Sequence, residues 1–244
     1  MSYVHSRVGR AKPLTGWLPD HRVREFGLRL RDGTDLRLRT TDWVLLEVFG
    51  GAYALDLSPL GRVKTVLDLG ANVGLASVYL ARRLTEASFV CVEPSAESFR
   101  LLRENLRRNV PQAQAFRAAV VAKPGAYRLE EADVPSESRV VTAESGASEG
   151  GVEAMTIAEV MTRAGIETVD LMKMDIEGGE AALFESAGEW APRVRALVAE
   201  VHHPLTVKIA EGRLSAHGFV SLPRPAGAKF ERIVYMARKG AVGR

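Results

Sequence analysis

The spacing of apolar residues changes several times along the chain, and each change marks an element. Glu25 to Thr40 alternates, with Phe26, Leu28 and Leu30 on one side and Arg29 and Arg31 on the other; Leu36 and Leu38 resume the pattern after Asp32-Gly33. A period of two broken by turn chemistry predicts an amphipathic β-hairpin. Thr41-Asp42 then supplies an N-cap for a short helix through Val48. From Val63 onward, short apolar runs predict buried strands at Thr65–Leu69, Phe89–Val92, Ala115–Val121, Val169–Met174 and Val194–Val201. Between them the period lengthens to that of a helix. Helices are predicted over Ala76–Leu84, after the cap Ser95 (Phe99, Leu102 and Leu106 on one stripe), from Thr156, from about Glu180, and over Leu205–His217. Met1 to Asp20 has no clear period. Glu131 to Glu153 is poor in large apolar residues and reads as a loop or weak edge strands.

Strands alternating with helices predict an α/β protein with a parallel sheet covered on both faces. Phe219–Leu222 and Glu231–Ala237 are separated only by Pro223-Arg-Pro-Ala-Gly227, so they should form an antiparallel hairpin and make the sheet mixed. Ligands in such sheets sit beyond the carboxyl ends of the strands. The expected division is an arm, hairpin and helix over residues 1–57, packed on a core domain over 58–244.

Composition changes this picture little. The chain has 244 residues, 46% hydrophobic and 26% charged, which suits one large globular domain. The single cysteine, Cys91, lies in an apolar run and reads as a core residue. No apolar stretch is long enough to span a bilayer and the N-terminus has no apolar signal core, so no membrane partner and a cytoplasmic location are expected. The net charge of +3 comes partly from Arg7, Arg10, Lys12, Arg22, Arg24, Arg29, Arg31, Arg37 and Arg39. That patch could attract nucleic acid or an anionic substrate. No aromatic stacking motif accompanies it, so a solvated face is expected and nucleic acid is not.

The candidate chemistry clusters at strand ends. Gly70 and Gly74 follow the first long strand and open a helix; Gly70 frees the turn and Gly74 lets a ligand approach the helix. Asp68 sits inside the apolar strand, where a carboxylate needs a partner, such as the loop or a cationic ligand group. Glu93 ends the next strand, where a carboxylate can accept two ribose hydroxyls. A nicotinamide enzyme also places an acid there, but Gly70-Ala-Asn-Val-Gly74 is not the G-x-G-x-x-G spacing of dinucleotide binders.

Val66-Leu-Asp-Leu-Gly-Ala-Asn-Val-Gly74, Val92-Glu-Pro-Ser95, Met172-Lys-Met-Asp-Ile-Glu-Gly-Gly-Glu180 and Glu200-Val-His-His203 resemble the FkbM family of methyltransferases. The resemblance runs from about Thr41 to Tyr235. It implies a Rossmann-like class I methyltransferase fold with a seven-stranded sheet and S-adenosylmethionine as donor. It also implies methylation of a hydroxyl oxygen, in many members on sugars or natural products. Carried over, the cofactor motif falls on Asp68, Gly70, Asn72 and Gly74, and the ribose carboxylate on Glu93 with Pro94 beside it. Ser95 and Ala119 become adenine neighbours, Glu47 and Tyr53 close over the methionine end, and Asp175 borders cofactor and acceptor.

Methyl transfer to an alcohol needs alignment and a destination for the proton. Asp175 and Glu177 follow the fourth strand and Glu200 and His202 end the fifth, on strands about 4.8 Å apart if adjacent. Two designs follow. Asp175 and Glu200 hold Mg²⁺, which lowers the hydroxyl pKa; or His202 is the general base, oriented by a carboxylate. Glu180 reads as a first-turn acid complementing the helix dipole, His203 as structural, and Lys173 as a mid-strand lysine that needs a partner if buried, unless its head reaches a sheet edge. The expected partner is a small-molecule hydroxyl acceptor; a homodimer stays open. The runners-up are an N-methyltransferase or one acting on RNA or protein, then a nicotinamide oxidoreductase, then a non-catalytic cofactor-binding module. Asp175-Ile-Glu-Gly in place of Asn/Asp-Pro-Pro-Tyr/Phe argues against a nucleic-acid amino methylase.

Overall fold

The structure is a computed structural model that describes residues 23–42, 48, 56–130, 132, 138–143, 151–223 and 231–241. Glu25–Arg29 (β1) and Asp35–Arg39 (β2) form the predicted antiparallel hairpin. Leu36 and Leu38 sink into the core while Phe26 stays exposed, so the apolar side of β1 is only partly covered. The short helix expected after Asp42 lies outside the described residues, except Val48.

Thr65–Leu69 (β3), Leu75–Arg83 (α1), Ser88–Val92 (β4) and Ala96–Asn109 (α2) follow as predicted, with Ser95 capping α2 through the Ser98 amide. The third apolar run departs from expectation. It splits into Gln114–Phe116 (β5) and Ala119–Val120 (β6), because Arg117 turns out to solvent and the chain leaves the sheet. Tyr127–Glu130 (β7) and Arg139–Thr142 (β8) pair as a separate hairpin, and Ala154–Met155 (β9) runs parallel to β6. Ile157–Ala164 (α3) starts on a capping box, with the Glu159 amide donating to Thr156 Oγ1 and the Thr156 amide donating to Glu159 Oε2. Val169–Met174 (β10), Glu180–Glu185 (α4), Ala187–Trp190 (α5) and Val194–Glu200 (β11) complete the repeating part. Val207–Ser215 (α6), Phe219–Ser221 (β12) and Ile233–Arg238 (β13) close the chain; α6 begins two residues later than expected, at the cap Thr206.

The seven-stranded sheet has the order β12-β13-β11-β10-β3-β4-β5. Every pair from β11 to β5 is parallel, and β13 alone runs reversed. The order turns back between β3 and β10: from β3 the chain moves outward through β4 and β5, then returns to the other side of β3. That reversal opens a crevice at the carboxyl ends of β3 and β10. Period two along the strands splits the core. Val66, Phe89 and Leu171 pack on the α1, α2 and hairpin side; Leu67, Leu69, Val90 and Met172 pack on the side of α3 and Trp190. Asp68, Cys91 and Lys173 share the parity of the first set and would be apolar if packing alone decided. Among the described residues no helix is long and apolar enough to cross a membrane.

Candidate active site

After β3 the chain makes a sharp turn. Gly70 has φ +73°, and a Cβ there would lie 1.7 Å from the carbonyl oxygen of Asp175. Main chain from the ends of β3 and β10 therefore touches with no room for a side chain. The amides of Gly70 and Ala71 both donate to the Val92 carbonyl at 3.0 Å, tying the turn to β4. Asn72 is left-handed, with φ +49°, and its amide donates to Glu93 Oε2 at 2.8 Å; the Ser95 amide donates to Glu93 Oε1 at 2.9 Å. Burial pushes the Glu93 carboxyl up to about 7, although both amides favour the anion. Each oxygen keeps lone pairs beyond its one amide, as a carboxylate that takes a diol requires. Gly74, at φ +85°, starts α1, and a Cβ there would meet Leu102 Cδ1 at 2.7 Å. The absent side chain thus lets α1 pack closely on α2. Beyond Glu93 an open groove is lined by Pro94, Ala96, Arg117, Leu129 and Val152. Ala119 is buried in β6, its amide donating to the Glu153 carbonyl at 2.7 Å.

Under this turn lies a buried charge pair. Asp68 and Lys173 are opposite one another in the β3–β10 register, so their side chains leave the same face. Lys173 Nζ stands 3.2 Å from Asp68 Oδ1 and donates to the Gly70 carbonyl at 2.6 Å; Ser77 of α1 donates to Asp68 Oδ2 at 2.6 Å. Lys173 does not reach a sheet edge, since β10 is central and the side chain is 4% exposed. The partner that Asp68 needs is protein. Cys91 is buried within 3.1 Å of Ser77 Oγ, and burial pushes its thiol far up, so it is inert.

The second cluster forms where β10 and β11 end. His202 Nδ1 lies 3.1 Å from Glu180 Oε1. Its Nε2 faces Glu177 at 3.3 Å, Glu200 at 3.9 Å and Asp175 at 4.0 Å. Burial would lower the imidazole pKa, but the hydrogen bond and charge of Glu180, followed by Glu177 and Asp175, raise it to about 9. Burial raises Glu177 to about 7, against the pull of His202. Glu180 is fully buried and also accepts from the amides of Ile176 and Gly178; burial opposes its ionisation, yet His202 and the Ile176 amide hold it below the usual carboxylate range. It is therefore more than a first-turn acid: it fixes the turn and orients the ring. Lys173 Nζ, 3.8 Å from Asp175 Oδ2, links the two clusters.

The model of the methyltransferase FkbM domain matches residues 68–221, well over half of the chain and both clusters. The chain belongs to the FkbM methyltransferase family. It is similar to the AMB antimetabolite synthetase AmbE of Pseudomonas aeruginosa, at 29% identity over 68% of this chain. The chain spans only 10% of that synthetase. It is also similar to methyltransferase sdnD of Sordaria araneosa, at 24% identity over 68% of this chain and 76% of the relative. Among solved structures, the fibrillarin pre-rRNA processing protein of Methanococcus jannaschii aligns with 88% of this chain and 82% of its own at TM-score 0.47 and 12% identity. The matched family makes residues 68–221 a methyltransferase domain, with S-adenosylmethionine the donor that the family implies.

Most of the predicted site residues of this FkbM protein converge in the described structure. Asp68, Gly70, Asn72 and Glu93 form one connected turn, and Asp175, Glu177 and Glu200 surround the imidazole of His202. Glu47 and Tyr53 lie outside the described residues. The cation set differs from expectation. Single ligand atoms of Asp175, Glu177 and His202 all lie within 4.8 Å of one another, whereas Glu200 falls outside this set and is engaged 3.2 Å from Arg232. Arg39 overturns the solvated arginine face at its last position. It is 1% exposed, paired with Asp42 at 2.9 Å, and donates to Asn72 Oδ1 at 3.0 Å. Its one trace in the sequence is an acid three residues later. Glu180 ends one of the motifs that carry the family resemblance, but nothing there marks it as buried, and Ser77 left no trace.

Proposed function

We propose that this FkbM methyltransferase moves the methyl group of S-adenosylmethionine to a hydroxyl of a sugar or another specialised metabolite. The observation that carries the reading is the imidazole of His202, clamped by Glu180 and faced by Glu177, Glu200 and Asp175 beside the β3 turn. An alcohol needs a proton acceptor, because it is hardly ionised at neutral pH, and the carboxylates around this ring offer one. Similarity to a synthetase named for an antimetabolite supports specialised metabolism as the setting.

In this reading Glu93 accepts the ribose hydroxyls, and the Gly70–Asn72 turn lies against the cofactor. The bound cofactor supplies an electrophilic methyl on a sulfonium leaving group. Glu177, with a pKa of about 7, is matched to neutral pH and takes the hydroxyl proton. His202 stays protonated, because it titrates near 9, and holds Glu177 in place from 3.3 Å. A carbon–oxygen bond forms as the carbon–sulfur bond breaks, giving a methyl ether, S-adenosylhomocysteine and a proton on Glu177. Asp175 and Glu200 offset the imidazolium charge and align the acceptor.

A second design has its own support. Asp175 Oδ1 is buried and accepts no hydrogen bond among the described residues, and Asp175 belongs to the set with Glu177 and His202. Those residues would hold a divalent cation that acidifies the hydroxyl, with Glu180 fixing the second ring nitrogen. A histidine ligand suits Mn²⁺ or Fe²⁺ better than Mg²⁺. Loss of turnover in EDTA, restored by one of these ions, selects this design; unchanged turnover rejects it.

Calorimetry tests the main reading. S-adenosylmethionine and S-adenosylhomocysteine should both bind, and Asp175→Ala and His202→Ala should lose turnover in a screen of sugar and polyketide-like alcohols while keeping that affinity. Binding of NADH with no binding of S-adenosylmethionine would sink it.

A further inference from the structure

We infer that Arg39, on the N-terminal hairpin and outside the matched stretch 68–221, is a positioning residue that sets the cofactor turn through Asn72. The inference rests on the reading of the Gly70–Asn72 turn and Glu93 as the cofactor site. Three observations carry it.

The first is where the charge lies. A guanidinium that leaves solvent completely is costly, and surface arginines on a strand have no reason to do so. Arg39 does so at the end of β2, with its side chain 0% exposed. Asp42 answers it: Arg39 Nε and Nη2 donate to Asp42 Oδ1 at 3.1 and 2.9 Å, and the Arg39 amide donates to Asp42 Oδ2 at 2.6 Å. Pairing with Asp42 could be achieved at the surface. Burial requires something further inside to reach.

The second is what it reaches. Nη2 donates to Asn72 Oδ1 at 3.0 Å and to Ser98 Oγ at 3.1 Å. Asn72 is a non-glycine residue in the left-handed region, which costs free energy unless surroundings hold it. Its side chain is held by Arg39 and its amide is spent on Glu93. The order of contacts is guanidinium, Asn72 side chain, Asn72 amide, Glu93 carboxylate. Ser98 adds a second anchor on the first turn of α2, whose cap Ser95 also donates its amide to Glu93.

The third is how the hairpin is moored. Asn105 of α2 donates to the carbonyls of both Arg37 and Val73 and accepts from the Arg37 amide, while Asn109 exchanges hydrogen bonds with the Asp35 backbone. One asparagine thus ties β2 to the residue after Asn72. The hairpin is bolted to α2 and the turn at both ends of β2, and Arg39 is the bolt nearest the ligand.

The test separates the guanidinium from hairpin stability. Arg39→Met together with Asp42→Leu removes the pair without stranding a buried acid. Arg39→Lys keeps the charge, and Leu38→Ala weakens the hairpin while leaving Arg39 in place. Dissociation constants for S-adenosylhomocysteine are measured by calorimetry, with thermal melting on each variant. The pair-removed protein should melt cooperatively and bind about tenfold more weakly, the size of one lost charge-assisted hydrogen bond. Arg39→Lys should recover part of this, and Leu38→Ala none of it should show despite a comparable fall in melting temperature. Asn72→Gly, which keeps the left-handed turn, should weaken binding in the wild type but add nothing once Arg39 is gone. Equal affinity in the folded pair-removed protein overturns the inference, as does additivity of the Arg39 and Asn72 changes, or equal weakening by Leu38→Ala. If the pair-removed protein does not fold, Arg39→Lys and Asn72→Gly decide the matter. No binding of S-adenosylhomocysteine to the wild type would overturn the cofactor-site reading, and this inference with it.

Discussion

Lys173→Met tests the buried pair beneath the cofactor turn. The lysine is 3% exposed and Asp68 is 0% exposed, with 3.2 Å between the charges. At an effective dielectric of about 20, that separation corresponds to roughly 5 kcal/mol of attraction, most of it offset by the cost of desolvating both ions. The net value of the pair is therefore small, but the two charges are not separately dispensable. Methionine fills the lysine's volume and removes the counter-charge of buried Asp68, whose hydrogen-bond partner among the described residues is Ser77, and it strips the donor from the Gly70 carbonyl. Removing one partner of a buried pair costs about 3–5 kcal/mol. For a chain of this size that is a fall in melting temperature of roughly 6–20 °C. Urea unfolding of wild type, Lys173→Met, Asp68→Asn and the double variant gives a cycle. The double variant should recover most of the loss, with a coupling of about 2 kcal/mol or more. A single-variant cost below about 1 kcal/mol, or a coupling near zero, would refute the view that each charge depends on the other.

Four further outcomes are expected. Gly70→Ala should leave little folded protein, because its Cβ meets main chain at 1.7 Å, while Gly74→Ala should fold with reduced stability, because its clash is with the end of a leucine side chain at 2.7 Å; urea midpoints rank the two. Affinity for S-adenosylhomocysteine should rise with pH through about 7 as Glu93 ionises, and Glu93→Gln should weaken binding and flatten that dependence. The folded protein without ligand holds a proton on His202 up to about 9, whereas the ordinary imidazole value is 6.5. The stability this adds is complete below 6.5 and is lost as pH rises toward 9, so unfolding free energies should decline across that window in wild type and less in His202→Asn. Glu180→Gln should lower turnover about tenfold or more with cofactor affinity unchanged, and NMR titration should show the His202 pKa falling; an unmoved imidazole pKa removes Glu180 from the site.

Local sequence carried the repeating strands and helices well, because each apolar run between β3 and β11 is bracketed by glycine, proline or a capping residue. The exception was Ala115–Val121, where Arg117 interrupts an apolar run that looks continuous by composition. The sites were legible in their members but not in their connections. An acid inside β3 announces that it needs a partner, yet which partner depends on the neighbouring strand, and β10 lies a hundred residues away. Glu180 suits any helix start, so its sequence context could not reveal that it is buried against His202. Arg39 follows the alternation that sends Arg37 outward; only the close approach of Asn72 and Ser98 at the end of β2 makes that position interior.

The missing side chain at Gly70 has a consequence for tolerance. The carbonyl of Asp175 occupies the place where that side chain would be, and the Asp175 amide donates to the Leu69 carbonyl at 3.0 Å. The distance between the turn after β3 and the turn after β10 is thus gauged by main chain against main chain. Because the gauge is main chain, side-chain rotamers do not set it, and side chains on the two turns can differ while the two strand ends keep their spacing.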